Sequence, residues 1–560
     1  GSNLEPFWLK IRTLREWGQR TTRRGLAPRR VAGKARTRAR GQMASLRNVY
    51  ISFVFIALGG LLFGYIIGIT SNVVTTGQLL CEDDSAQVAG TWTSVGYRQC
   101  YRLGALEKGF LSSLNLIGAC LSSLVCFRYA DAMGRKLEVQ VGAVMYFLGA
   151  VLAAASPTLW GVYVGFTVYG IGIGFAMHAA PVYIAEVSPA SIRGTLVSAK
   201  EAVVVTGIFL GFLSGFVFKQ WDTYGWRFMV ASSALFALIM EVGITFIPQS
   251  PRFLVLQAVR SGGLLGADGE AALDAARAAL QFFRAAPSPA DIEEELQTMR
   301  TDISATVGTQ AAKWTDSFRY PRQLFIGCGL VFLQQVTGQP SVLYFATNIF
   351  KSAGFGSTAA LSSVGVGLVK LLATLFTVWR VDQYGRRLLL FVGIGLMCVA
   401  LAVVGTAFIF RECQTPGVSI QDCKADDVGL PRGWALATVA ALMLYVSGYQ
   451  VGFGPISWLM ISEVFPLGVR GAALSLAAIV NFGSNIVMTL TQEVLQDALT
   501  PAGVFYGYLG LSLLSLVFVK AVVPETKGKT LEEIETMLGR PKSSRRLPLV
   551  GAGGEGGARP

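Results

Sequence analysis

A nine-residue string that occurs twice most constrains how this chain folds. Glu186-Val-Ser-Pro-Ala-Ser-Ile-Arg193-Gly194 returns as Glu463-Val-Phe-Pro-Leu-Gly-Val-Arg470-Gly471, an offset of 463 − 186 = 277 residues. Two further pairs follow in the same order: Asp131-Ala-Met-Gly134-Arg135 with Asp382-Gln-Tyr-Gly385-Arg386, and Pro248-Gln-Ser with Pro524-Glu-Thr. Three repeated signatures indicate two related halves. In a membrane protein, such halves are typical of a transporter with its site between them.

The composition indicates a membrane protein. Hydrophobic residues make up 52% of the chain and charged residues only 15%, against about 25% in soluble domains. A helix needs about 20 apolar residues to cross the hydrocarbon. Twelve segments qualify, starting near Val49, Glu107, Leu137, Trp160, Thr195, Trp226, Gln323, Ala360, Leu388, Trp434, Ala472 and Gly503. The sequence therefore predicts an all-α membrane protein with two six-helix halves, because open sheet edges cannot lie in lipid.

The predicted domain boundaries follow from these spans. They are a basic tail (1–47), the first half (48–248), a cytosolic helical linker (249–322), the second half (323–523) and a C-terminal tail (524–560). Within the linker, Ala271 to Phe283 and Asp291 to Met299 show helical periodicity.

The positive charge is concentrated in the tail. Residues 1–47 hold thirteen Lys or Arg and two acids, which gives 13 − 2 = +11 of the total +14. An Arg-rich, acid-poor segment is typical of an organelle transit peptide, and equally of a basic tail near acidic lipids. In the rest of the chain the basic loops alternate to one side, which predicts cytosolic termini.

Four cysteines lie in two predicted loops on the opposite side. Cys81 and Cys100 follow the first span, and Cys413 and Cys423 follow the ninth. Each pair predicts a local disulfide in an oxidising compartment. This favours a vacuolar or plasma membrane, with the plastid envelope as the other possibility.

The repeated signatures resemble the sugar porters of the major facilitator superfamily. The resemblance extends to Gly59-Gly-Leu-Leu-Phe-Gly-Tyr65, Pro181-Val-Tyr-Ile-Ala-Glu186, Gln334-Gln335 and Gly454-Pro-Ile-Ser-Trp458. His178-Ala-Ala-Pro181 and Thr337-Gly-Gln-Pro-Ser-Val-Leu-Tyr344 are similar to the plant and algal branch, which contains vacuolar glucose transporters and D-xylose-proton symporter-like proteins.

The resemblance implies transport rather than catalysis. The expected function is transport of a hexose or pentose, such as glucose or xylose, by alternating access, as a proton symporter or a facilitative uniporter. A non-transporting membrane sugar sensor is the alternative. The expected partners are a monosaccharide, protons and the bilayer, with a monomer as the working unit. The sequence shows no nucleotide loop, nucleophile constellation or metal-ligand spacing, so we predict no enzyme activity, cofactor, metal or nucleic acid.

The repeated turns predict a charged latch on the cytosolic face. Arg135 and Arg386 can pair with Glu186 and Glu463, or with Asp131 and Asp382, and such a cluster would hold the two halves together. The alternative is that these charges only anchor the topology by the positive-inside rule. The predicted latch residues are Asp131, Arg135, Glu186, Arg193, Asp382, Arg386, Glu463 and Arg470.

The substrate site is expected near mid-membrane, where a sugar needs polar groups for its hydroxyls and a flat apolar surface for its ring. By resemblance, Gln334 and Gln335 form the amide pair, Trp458 stacks on the ring, and Tyr344 lies at a gate. Asn481 is a further hydroxyl contact. Pro340 replaces the family's asparagine in span seven, with Gln339 beside it.

Four positions depart from the family. Ile66 and Phe166 replace the acid and the arginine of the proton-coupled porters. Losing both together avoids an uncompensated charge in low dielectric. Glu201 and Lys370 appear instead, at positions where the family binds sugar. We predict that they pair across the cavity, with Glu201 as a substitute proton site or a hydroxyl acceptor, or that they only set the cavity's shape. His178, the only histidine, is expected to be a packed, neutral interface residue.

Overall fold

The computed structural model describes twelve stretches of the chain. They are residues 29–74, 78–80, 87–88, 99–221, 224–260, 267–284, 288–307, 314–355, 358–413, 428–465, 467–529 and 531–538. The transit-peptide prediction concerns residues 1–47, of which 1–28 lie outside these stretches.

The first half contains six helices. They are α1 (Arg29–Val73), α2 (Ala105–Met133), α3 (Arg135–Ala155), α4 (Leu159–Val187), α5 (Ala190–Phe218) and α6 (Gly225–Thr245). Each contains a segment long and apolar enough to cross a membrane, and in α1 this segment is Arg47–Val73. Small residues allow close packing: a Cβ on Gly64 would lie 1.8 Å from the Val204 carbonyl oxygen of α5. This close approach of backbones is typical of helices in lipid.

Three helices connect the halves on one face of the protein. They are α7 (Pro251–Arg260), α8 (Ala267–Phe283) and α9 (Pro289–Val307), and they share a small apolar core. Arg284 ties them to the first half, because it pairs with Glu295 at 2.7 Å and donates to the Val187 carbonyl at 2.9 Å. Asn48 of α1 donates to the Phe282 carbonyl at 3.0 Å. We call this side of the protein the linker face.

The second half has the same plan with interrupted helices. It comprises α10 (Pro321–Val336), α11 (Gln339–Tyr344), α12 (Ala346–Phe350), α13 (Ala359–Tyr384), α14 (Arg386–Ala407), α15 (Arg432–Val451), α16 (Phe453–Val464) and α17 (Leu467–Ala521), followed by α18 (Leu531–Leu538). The seventh span is α10 to α12, the tenth is α15 with α16, and α17 contains the eleventh and twelfth. The last two meet at Thr500, which has a non-helical backbone before Pro501. The twelve-helix fold is therefore confirmed.

Short strands occupy the loops on the opposite side. Gln87–Val88 (β1) pairs in parallel with Gln99–Cys100 (β2), and Glu412–Cys413 (β3) pairs antiparallel with Val428–Gly429 (β4). Cys100 and Cys413 are both disulfide-bonded, whereas Cys120, Cys126, Cys328 and Cys398 are free. The predicted partners Cys81 and Cys423 lie outside the described residues. We call this side the disulfide face.

The two halves are braced in the same way at the linker face. Arg135 lies 3.6 Å from Glu186, and Arg386 lies 2.9 Å from Glu463. The hydroxyl of Ser250 donates to Glu186, and that of Thr526 donates to Glu463 at 2.6 Å. The acids, arginines and hydroxyls therefore occupy equivalent places in both halves.

The same segments also cap the helices that follow the repeated turns. Gln249 Oε1 accepts from the Lys136 backbone N–H at 2.9 Å, at the start of α3. Glu525 accepts from the backbone N–H groups of Arg386 and Arg387 at 3.2 and 3.1 Å, at the start of α14. A carboxylate at a helix N-terminus is favourable because it meets unpaired N–H groups and the positive end of the dipole. The third sequence pair, Pro248-Gln-Ser with Pro524-Glu-Thr, therefore caps α3 and α14, a role that the sequence pattern did not predict.

The latch prediction needs correction in one respect. Arg135 and Glu186 both belong to the first half, and Arg386 and Glu463 both belong to the second, so these ion pairs join helices within a half. Arg193 donates to the nearby Ser188 carbonyl at 3.4 Å. The side chains of Asp131, Asp382 and Arg470 lie outside the described residues. Every described pair thus stabilises one half rather than latching two.

The turns themselves need glycine, which gives a stability test. Gly134 and Gly385 have φ of 80° and 89°, with ψ of 153° and 155°, a region that other residues avoid. We expect Gly385→Ala to destabilise the protein by about 1–3 kcal/mol. Thermal unfolding in detergent measures this loss. Gly395→Ala is the matched control, since it lies within α14 with open space around it. Equal melting temperatures for both variants would contradict the prediction.

Candidate functional site

The most extensive contacts between the halves run along two pairs of helices. α2 of the first half packs along α17 of the second, and α5 packs along α13. A Cβ on Gly109 would lie 2.3 Å from the Leu490 carbonyl oxygen, and one on Gly367 would lie 3.0 Å from Phe209. Both contacts lie in the part of the interface nearer the disulfide face.

A cluster of small polar side chains closes the interface at the disulfide face. Ser71, Asn72 and Thr347 are each at most 2% exposed. The Thr347 hydroxyl lies 3.2 Å from that of Ser71 and 3.0 Å from that of Ser363, and it donates to the side-chain Oδ1 of Asn72 at 3.3 Å. We call these four residues the hydroxyl seal. Among the described residues, the side-chain hydrogen bonds that join the two halves all belong to this seal.

The predicted amide pair lies where the seventh span breaks. Gly338 has a φ of 100°, and Pro340 lacks a backbone N–H, so α10 ends at Val336 and α11 begins at Gln339. Gln334 and Gln335, in the last turn of α10, are 3% and 4% exposed. Gln334 Nε2 donates to the carbonyls of Phe453 and Gly454, at 3.3 and 3.4 Å.

Those two carbonyls lie at the break in the tenth span. The amide therefore joins two interrupted helices, which is where such proteins place their substrate sites.

Several buried polar atoms near these breaks lack a hydrogen-bond partner among the described residues. They are Oε1 of Gln334, Oε1 of Gln335, the Tyr344 hydroxyl and the Ser457 hydroxyl. A buried polar group without a partner costs about 1–3 kcal/mol. Four of them near two helix breaks indicate a surface prepared for a polar ligand.

The other predicted contacts border these breaks less closely. Trp458 is partly buried and packs beside Val331 and Ile461. Asn481 is 9% exposed, and Asn485, one turn later, accepts from the Thr489 hydroxyl at 3.2 Å. Gln339, at the start of α11, is partly buried. Phe482, next to Asn481, meets Phe63 of α1 edge-to-face at 6.2 Å, which brings the first half to this region.

The predicted pair between Glu201 and Lys370 is not a direct ion pair in this structure. Lys370 Nζ instead donates to Gln450 Oε1 at 2.7 Å and lies 4.7 Å from the centre of the Tyr449 ring. Gln450 in turn donates to Thr374 at 2.7 Å. Glu201 is within electrostatic range of both Lys200 and Lys370 but makes no ion pair with Lys370 within 4 Å. A nearby neutral amide on α15 satisfies the ammonium more directly than a carboxylate across the interface.

Apolar side chains occupy both positions where the family carries its acid–arginine pair. Ile66 and Phe166 are both fully buried, in one apolar cluster that also contains Leu62 and Ile173. Apolar side chains therefore fill the part of the first half where the family's charge pair would lie.

His178, predicted as a packed interface residue, contacts a buried acid. Its Nδ1 lies 2.5 Å from Glu138 Oε1, and Glu138 is 1% exposed. Sequence reasoning missed Glu138, although an acid inside a predicted span is itself a signal of function or of a partner.

Lys370 gives a test of the polar network in the second half. We expect Gln450→Leu to destabilise the protein strongly, by about 3–5 kcal/mol, because it leaves a buried ammonium without its acceptor. Lys370→Met in the same protein should restore most of the lost stability, since no charge then remains to be neutralised. A double-mutant cycle of detergent melting temperatures measures the coupling. Additive losses from the two changes would show that the contact does not matter.

Comparison with known proteins gives this geometry a context. The profile of the family described as "Sugar (and other) transporter" matches residues 51–538. The chain is 40% identical to "D-xylose-proton symporter-like 3, chloroplastic" of Arabidopsis thaliana, over 88% of this chain and 83% of that protein. It is 31% identical to a D-xylose transporter of Levilactobacillus brevis, over 88% and 97%.

Solved structures agree with the fold. The inward-open structure of the xylose transporter XylE from E. coli aligns with a TM-score of 0.66 at 25% identity, over 87% of this chain and 99% of that chain. A second XylE structure, described as a major facilitator superfamily proton:xylose symporter with a bound bromodeoxyglucose, aligns with a TM-score of 0.67 at 24% identity, over 88% and 100%. The protein has the major facilitator fold, is a multi-pass integral membrane protein, and belongs to the sugar transporter family.

Proposed function

We propose that this protein carries a monosaccharide, a pentose or hexose such as xylose or glucose, across a membrane by alternating access. The observation that carries this proposal is the set of unpartnered, buried amide and hydroxyl oxygens where the seventh and tenth spans break. Sugar hydroxyls donate as well as accept hydrogen bonds, so they can donate to these unpartnered oxygens. The names of the relatives, which include D-xylose and glucose transporters, point to the same class of substrate.

The hydroxyl seal supports alternating access as the mechanism. It closes the disulfide face with hydrogen bonds between small side chains, and these can break without leaving a buried charge unpaired. Release of Thr347 from Ser71 and Asn72 would open a path from that face to the helix breaks. Rocking of one half against the other is the motion that repeat-built transporters use.

The proposed orientation places the linker face in the cytosol. The positive-inside rule favours this side, because the repeated arginine turns lie there. The disulfides of Cys100 and Cys413 would then face an oxidising compartment, as in a vacuolar or plasma membrane. One relative carries the description "chloroplastic", which keeps the plastid envelope as the alternative.

Sugar flux into proteoliposomes tests the proposed site. We expect Gln334→Ala and Gln335→Ala each to raise the KM for sugar about tenfold or more, because each removes a buried hydrogen bond to the substrate. Gln323→Ala is the matched control, since it removes a buried amide from the same helix about three turns before the break. Specific sugar binding without any flux would instead favour the sensor alternative. An unchanged KM in both site variants would refute the assignment.

Proton coupling must use another group than the family's missing pair. We propose Glu201, which is partly buried and lies within electrostatic range of Lys370 in the other half. An imposed pH gradient should accelerate sugar uptake by the wild type. Glu201→Gln should lose this acceleration but keep sugar exchange at equal pH, because only the coupled step needs the proton.

Glu493→Gln is the control for this experiment. Glu493 is also a membrane acid, but it is satisfied locally by Asn348 at 3.0 Å. If the wild type ignores the gradient, the protein is a uniporter. If Glu201→Gln keeps the full pH response, the proton binds elsewhere.

A further inference from the structure

Three side chains of different chemistry converge inside the first half, near its linker-face end. Cys126 comes from α2, Glu138 from the first turn of α3, and His178 from α4. Their Sγ, carboxylate oxygen and imidazole nitrogen all lie within 4.8 Å of one another. Cys126 and Glu138 are at most 1% exposed, while His178 keeps 29% of its side chain accessible. The proposed sugar and proton sites involve none of the three.

We infer that Cys126, Glu138 and His178 form a binding site for a transition-metal dication of the Zn²⁺ type. Thiolate, imidazole and carboxylate are the three ligands that zinc takes in proteins. Magnesium and calcium prefer all-oxygen sites, so the sulfur and nitrogen donors exclude them. Three protein ligands leave a fourth, tetrahedral position, which a water molecule can occupy from the accessible side of His178.

Charge balance favours such an ion in this place. A thiolate and a carboxylate together neutralise a dication, and the imidazole adds no charge. The complex is then neutral, which suits a membrane interior where an uncompensated charge costs several kcal/mol. The simpler alternative is a hydrogen bond between Glu138 and His178, with the Cys126 thiol directed at the same carboxylate.

The second carboxylate oxygen argues against this simpler alternative. Oε2 of Glu138 is buried and has no hydrogen-bond partner among the described residues, although Oε1 contacts His178. Buried polar atoms in proteins are generally hydrogen-bonded, so this unmatched oxygen calls for a partner. A metal ion would be the missing partner.

Only small movements would assemble the site. Tetrahedral zinc with bonds of 2.0–2.3 Å separates its ligand atoms by about 3.3–3.8 Å. The present distance of 2.5 Å between His178 and Glu138 would widen by about 1 Å, and the sulfur would approach by a similar amount. Side-chain rotation can supply both, because the three residues lie on separate helices.

Two nearby cations in the described part of the chain, Arg135 and Lys136, are engaged elsewhere. Arg135 lies 3.6 Å from Glu186 and against the Phe253 ring at 5.8 Å. Lys136 donates to the Thr245 carbonyl of α6 at 3.0 Å. Their charges are therefore directed away from the cluster.

A metal at this position would act on one half alone. It would join α2, α3 and α4, and all three move together when the halves rock. The ion would thus stiffen the first half beside its Arg135–Glu186 brace without blocking the transport cycle.

Metal binding to the purified full-length protein tests the inference. The protein must carry no polyhistidine tag, since His178 is the only native histidine. We expect one Zn²⁺ per chain and a higher melting temperature with Zn²⁺. Cobalt should show a thiolate charge-transfer band. Cys126→Ser should abolish that band, and Glu138→Gln and His178→Gln should each weaken Zn²⁺ binding at least about tenfold.

Cys120→Ser is the matched control, because Cys120 is a free thiol on the same helix but lies outside the cluster. It should keep the stoichiometry, the cobalt band and the thermal shift. Cobalt binding without a thiolate band, equal Zn²⁺ affinity in wild type and Cys126→Ser, or no Zn²⁺ binding by the wild type would each overturn the inference.

Discussion

The cost of an unpaired charge or polar group inside the bilayer governs most of this structure. Two of the retained buried charges have close partners: Lys370 has Gln450, and Glu138 has His178. Where the family's charge pair is lost, both members are lost, and Ile66 and Phe166 fill the space with apolar contacts. Among the buried polar atoms left without partners in the described residues, four lie at the helix breaks and one belongs to Glu138.

The second half carries most of the proposed binding surface, and the reason lies in its backbone. Gly338 and Pro340 interrupt the seventh span, and Gly452 separates α15 from α16. An interruption exposes backbone carbonyls within the membrane, and these must be satisfied by side chains. The side chain of Gln334, at the first break, donates to a backbone carbonyl at the second break, and this bond holds its amide Oε1 in place. The hydrogen bond of Gln334 therefore both positions the site and satisfies the interrupted backbone.

The sequence allowed the fold to be predicted because apolar length and paired signatures are local properties. It also predicted the ion pairs of Arg135 and Arg386, whereas Gln334 and Gln335 remain predicted sugar contacts. It could not predict that Lys370 bonds to Gln450, because that choice depends on which side chain of α15 faces α13. It missed Glu138 beside His178 for the same reason, since the two lie 178 − 138 = 40 residues apart. The latch was predicted to join the two halves, whereas its described ion pairs lie within each half. A repeated motif shows that two positions are equivalent, but it does not show whether their contacts lie within a half or between the halves.

The capping segments have a consequence for how the protein is made. Gln249 and Ser250 complete the first half, and they follow its sixth helix immediately. The contacts of Gln249 and Ser250 with the first half can therefore form before the ribosome has synthesised the seventh span. Glu525 and Thr526 do the same for the second half, but only after its last span has been synthesised. Duplication thus places one brace just after each six-helix half, so each half can be completed in turn along the chain.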